Sequence, residues 1–226
     1  MTLIAMAARD GDQWMLAARR ADAASAKLSG TMLPVDFEHS DKRSPLRFRG
    51  YAYKREPSTV SGQMRVSYDA AKPQIWEVPF YDEVKVELAA QVPKGGYIVP
   101  ASQARWVAEK LRAHGIQFAA LDAAKELSVE AFHANEVQLK PGSFEGRQNA
   151  SAKGSWRQER VTAPAGSLFV PINQALAQVI VHLFDPSAPD SLLAWGFFNA
   201  HFEQKEYLED YIAEDVALEM LTDPKV

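Results

Sequence analysis

From residue 2 to 29 the apolar positions recur at helical spacing. Ile4, Ala8, Met15 and Leu16, with Trp14 beside them, make a loose stripe that an alanine-rich run carries on to Leu28. Side chains three and four residues apart share one helix face, so this spacing predicts a single amphipathic helix. Thr2 is placed to cap its first turn, Gly11 weakens its middle and Gly30 stops it. From Met32 to Val92 the period changes to two. Phe48, Tyr51 and Tyr53 predict a strand near 46–54. Met64, Val66 and Tyr68 predict a second, Ile75, Trp76 and Val78 a third, and Val84, Val86 and Leu88 a fourth. Turn-forming residues at 56–58 and 61–62 separate them, as in an antiparallel, β-rich region.

Beyond Gly95-Gly96 the pattern is strand, helix, strand. Tyr97 to Val99 is a short apolar run ended by Pro100. Ser102 is placed to cap a helix bearing Trp106, Val107 and Leu111, which His114-Gly115 closes before Ile116 to Phe118 returns as a strand. Such units usually bring their two strands parallel. Residues 127–139 and 155–163 predict two more strands, with a polar loop around Arg147 between them. Leu168 to Val170 predicts a buried strand before Pro171, and Asn173 a cap for a helix carrying Leu176, Val179, Ile180 and Leu183. After breaks at Asp185-Pro186 and Ala188-Pro189, Trp195, Phe197, Phe198 and Phe202 crowd together. Each buries roughly 150–250 Å², so they belong in a core or against another domain. A tail helix from Glu203 to Leu221 follows, with Tyr207, Ile212, Val216 and Leu218 as its apolar set. The whole is a mixed α+β chain: a β-rich N-terminal part, then a mixed sheet with a strand–helix–strand unit and C-terminal helices. It divides into a connecting helix at 1–30, a β-rich region at 31–94 and an α/β region at 95–226, with 31–226 as one continuous domain the alternative.

Composition narrows the function classes. The net charge is −4 with no long single-sign run, which speaks against a nucleic-acid partner. No apolar run reaches the length of a membrane span. There are no cysteines, hence no disulfide and no thiolate ligand or nucleophile. The first residues lack the basic and apolar regions of a signal peptide, and the compartment stays open.

Chemistry-bearing patterns are sparse. His133-Ala134-Asn135-Glu136 spells the HxxE pair with which zinc carboxypeptidases hold their metal, and His182 or His201 would have to supply the distant histidine. Zinc held that way makes a bound water nucleophilic. The pair is common by chance, and here it lies in a strand pattern. His201, Glu203 and Glu206 are a second possible ligand set, but a helix spreads them over different faces. Arg147 and Arg157 are candidates to meet a carboxylate, as any surface arginine is. No serine sits in a GxSxG context, and neither a P-loop nor GxGxxG occurs. Motifs alone name no catalytic and no metal-binding residue.

Three stretches carry a resemblance: GYAYKREPSTVSG from Gly50, GGYIVPASQARWVAEKLRAHGI from Gly95, and the long run from Ala165 to Ala217 that contains APDSLLAWGFFNAHFEQKEY. Together they resemble the C-terminal region of large bacterial zinc metallopeptidases of the carboxypeptidase A type, from about Trp14 onward. The resemblance implies a lineage that releases C-terminal amino acids from peptides, with zinc held by a separate N-terminal catalytic domain. It carries none of the family's zinc ligands, nor its catalytic glutamate, onto these residues. It implies a non-catalytic accessory region, beginning in the connecting helix and inactive alone. The implied partner is a zinc-peptidase catalytic domain, in cis or in trans, with peptide substrate met only indirectly. Zinc is expected only in a full-length member, and such members are usually exported. Trp14, Trp195, Phe197 and Phe198 are the residues expected to contact the catalytic domain. The alternative is an independent module binding peptide or glycan. Burial of Trp106, Trp156 and Trp195 together would weaken that alternative.

Overall fold

A computed structural model describes residues 2–203 and 209–222. Helix α1 runs Leu3–Ser25, and the Thr2 hydroxyl caps it by accepting from the Ala5 N–H at 3.3 Å. It ends before Gly30, which instead takes φ +74° in the turn that leads to the first strand. Strand β1, Met32–His39, pairs antiparallel with β4, Val84–Gln91. Its own alternation is broken by register shifts around Asp36, which is why periodicity did not single it out.

Strands β2 (Ser44–Pro57) and β3 (Met64–Phe80) form one long antiparallel ribbon. The two strands expected at Met64–Tyr68 and Ile75–Val78 are therefore one. Pro73 between them sits beside the register shift at Tyr51/Ala52, where a ring without an N–H disturbs the ladder least. Strands β7 (Lys125–Leu139) and β8 (Ala150–Ala163) make a second such ribbon.

The centre is a three-stranded sheet ordered β5 (Gly96–Val99), β9 (Leu168–Pro171), β6 (Ala119–Ala120). Both outer strands are antiparallel to β9, so they run the same way as each other, with β9 inserted between them. The returning strand is not Ile116 to Phe118. Ile116 drops into the core instead, and the Gln117 N–H donates to the Gln174 side chain at 2.9 Å. Helix α2, Ala101–His114, starts behind Pro100 with no side-chain cap, so Ser102 lies within it, while Gly115 closes it in the left-handed region. Helix α3 is Ala177–Phe184 and Leu176 holds its N-cap position. Asn173 does not cap it, because Gln174 takes over the turn by donating to Pro171 O and Gln117 O. Helices α4 (Asn199–Phe202) and α5 (Asp210–Met220) replace the continuous tail helix expected from Glu203. Glu206 and Tyr207 lie outside the described residues.

The core gathers Leu33 and Val35 from β1, Val92, Val107 and Leu111 from α2, Val170 of β9, and Ile180 and Val181 of α3. A mixed α+β fold with a β-rich N-terminal part results. Among the described residues no helix is long and apolar enough to cross a membrane.

Candidate functional site

The aromatic run at 195–198 is tied to two other parts of the chain. On α2, Gln103, Trp106 and Lys110 fall three and four residues apart and so share a face. Trp106 stacks on Phe197 with ring centroids 5.1 Å apart and planes 7° off parallel, and it meets Phe198 edge-on at 5.6 Å. Its indole N–H donates to Gln103 Oε1 at 2.7 Å. The β7–β8 loop supplies Arg147, whose guanidinium lies 3.6 Å from the Phe197 centroid. Cation–π attraction of this kind is worth about 0.5–2 kcal/mol, depending on desolvation. Trp195 packs near Phe144, centroids 6.2 Å apart, and donates to Asp190 Oδ1 at 3.2 Å.

Gly196 makes this junction possible. It adopts φ +70°, and a Cβ there would fall 2.1 Å from the Gln148 carbonyl oxygen. The Asn199 amide donates to that same carbonyl at 2.8 Å. The arrangement staples α2, the β7–β8 loop and the 195–201 segment together, and its rings remain half-buried. Of the expected contact residues, Phe197 and Phe198 meet on Trp106, and Trp195 sits beside them in sequence against Phe144. Trp14 is elsewhere, half-exposed on α1, with no aromatic partner among the described residues. Arg147 stacks on a ring and, among the described residues, meets no carboxylate.

The HxxE pair does not converge. His133 hydrogen-bonds across its ribbon to Glu159. Glu136 instead accepts from Lys153 Nζ at 3.2 Å and from the Gln138 amide at 2.7 Å, and the lysine bond above all holds its carboxyl below the usual range. His201 lies in the aromatic junction, its Nε2 3.4 Å from Gln103 Nε2. Among the described residues no three His, Asp or Glu side chains come together as a metal-holding group.

Period two placed aromatic strands near 46–54, at Met64–Tyr68 and at Ile75–Val78, but did not reveal that one face of them stays open. Phe48 and Trp76 stack at 6.0 Å, Trp76 meets Tyr53 edge-on at 5.8 Å, and Tyr53 meets Tyr68 at 6.0 Å. Trp76 lies directly over Gly50, where a Cβ would come 2.5 Å from its ring. Arg55 covers Tyr53 at 5.5 Å. A shallow depression of about 260 Å³ opens beside Trp76, Tyr68 and Arg49. The missing signal was tertiary: period two says which residues share a face, not whether another layer covers it. On the other ribbon Trp156 is likewise exposed, in edge contact with Phe132 at 5.5 Å.

No protein family, curated protein or solved structure matches the chain.

Proposed function

We propose that this chain is a non-catalytic accessory unit of a zinc carboxypeptidase-like peptidase, which docks on a catalytic domain in cis or in trans and shapes the approach of peptide substrate. The lineage rests on the resemblance of residues 50–62, 95–116 and 165–217. The docking role rests on α1. That helix has Leu3 83% exposed, Ile4 82% and Trp14 51%, and only Ser25 among its residues is buried. Helices gain most of their stability by packing an apolar face, and among the described residues the apolar side chains of α1 are left largely uncovered. A surface supplied by a catalytic domain would cover it.

The test is a zinc titration of the purified chain in an assay of C-terminal amino-acid release. No zinc-dependent release is expected from the chain alone, and release would overturn the reading. A second arm adds a separately produced zinc-peptidase domain of this type and follows the Trp14 environment by fluorescence in a Trp14-only variant. A blue shift is expected, and an unchanged spectrum counts against docking through α1.

The alternative, an independent peptide- or glycan-binding module, is favoured by a different observation. Trp156 is exposed, Trp106 and Trp195 are only half-buried, and the β2–β3 ribbon shows an aromatic face. Retention on immobilised glycan or peptide, with no response to the catalytic domain, would select it.

A further inference from the structure

Two surfaces of this chain are open and opposite in character. The β2–β3 ribbon is cationic as well as aromatic: residues 44–80 hold six Lys and Arg against three Asp and Glu, in a chain whose net charge is −4. Arg55 lies over the Tyr53 ring and Arg49 lines the depression beside Trp76, and neither has a carboxylate within ion-pair distance among the described residues. Helix α5 is the counterpart. Residues 209–222 hold five Asp and Glu and no Lys or Arg. Ile212, Val216 and Met220, four residues apart, form an exposed apolar line on it, with Glu219 on the same side.

The dimensions agree. The ring strip from Phe48 through Trp76 and Tyr53 to Tyr68 has three steps of 6.0, 5.8 and 6.0 Å. The 11 residues of α5 span on the order of 16 Å. Yet among the described residues the apolar line of α5 stays exposed, and no extensive contact joins it to the ribbon of its own chain. A two-stranded ribbon with an apolar face is marginal in water until another layer covers it, and an isolated helix of this length is marginal too. A second copy of the chain supplies both missing layers at once.

We propose that two copies of this chain associate reciprocally, α5 of each lying along the aromatic strip of the other's β2–β3 ribbon with its carboxylates facing Arg49 and Arg55. Because each copy gives and receives the same contact, a two-fold axis closes the pair. The ring faces provide the apolar burial, and the charges set orientation and salt dependence.

The experiment compares the full chain, a chain truncated after residue 208, and the double variant Arg49→Glu, Arg55→Glu by sedimentation velocity over a concentration series. Circular dichroism checks that each is folded. The full chain is expected as a concentration-dependent dimer, weakened by about tenfold or more between low and high salt. The truncated chain and the double variant are expected as monomers. A fluorescein-labelled peptide of residues 209–222 should bind the truncated chain, and should fail to bind a truncated chain that also carries the two Arg→Glu changes. A full chain that stays monomeric, a dimer that survives truncation, assembly beyond two copies, or peptide binding indifferent to the charge reversal overturns the proposal. These outcomes are independent of the accessory-unit reading, which rests on α1 and is tested by activity and Trp14.

Discussion

Tyr97 shows how a single buried group links burial to pH. Its ring stacks on Phe184 at 5.1 Å, and its hydroxyl is buried with no hydrogen-bond partner among the described residues. Desolvation first, and the nearby Asp185 second, push its pKa well above the ordinary value of about 10. A raised folded pKa means that the unfolded chain loses the phenolic proton first as pH rises. Native stability is therefore untouched by this ionisation below about pH 10 and declines above it, by up to about 1.4 kcal/mol per pH unit. Tyr97→Phe is expected to leave stability unchanged or slightly raised at pH 7, since it removes an unsatisfied buried hydroxyl. It should also flatten the loss between pH 10 and 11, and urea unfolding at those pH values checks both. Gly196 is the converse case, a residue whose lack of a side chain is the point. Gly196→Ala forces a left-handed backbone and a collision with the Gln148 carbonyl, and is expected to cost about 1–3 kcal/mol in the same unfolding experiment. An unchanged midpoint would show that the junction can open without loss.

At the scale of elements the chain separates into parts that the core holds and parts that it does not. Strands β5 and β9 and helices α2 and α3 carry most of the buried side chains, together with β1 and the end of β4. Helix α1 contributes only Ser25 to the buried set. Deleting residues 2–25 is therefore expected to shift the unfolding midpoint by no more than a few degrees, and amides of α1 should exchange with solvent far faster than those of α2. Hydrogen exchange followed by mass spectrometry resolves the two helices. Protection of α1 equal to that of α2 in the isolated chain would mean that it already has a partner, and would remove the ground for docking. The two ribbons differ in what closes them. The β7–β8 loop is fastened to the 195–201 segment through Arg147, Gln148 and Gly196, whereas the β2–β3 turn is held by its own Ser58, Gly62 and Gln63.

For the whole molecule, charge and apolar exposure are unevenly distributed, and that unevenness carries both functional readings. The open stripe of α1 is the ground for the proposed docking on a catalytic domain, with no peptide release expected from the chain alone. The cationic ribbon and acidic α5 support reciprocal pairing. Much of the architecture was legible beforehand, because hydrophobic period is a local property: it placed α1, the strands of both ribbons, α2, and β9 ahead of α3. Helix starts at Ser102 and Asn173 were misplaced, since a capping residue type does not reveal which turn it will occupy. Here the N-cap positions fell to Pro100 and Leu176, neither of which caps with a side chain. What the chain's order of residues determined by itself is which side chains share a face. Only the tertiary structure decided which faces are covered: that β9 inserts between β5 and β6, that Phe197 is gripped by Trp106 and Arg147, that His133 and Glu136 turn to different partners, and that Phe48, Tyr53 and Tyr68 remain exposed. The reason is physical. Periodicity follows from backbone geometry within a few residues, whereas burial depends on segments distant in sequence arriving at the same place.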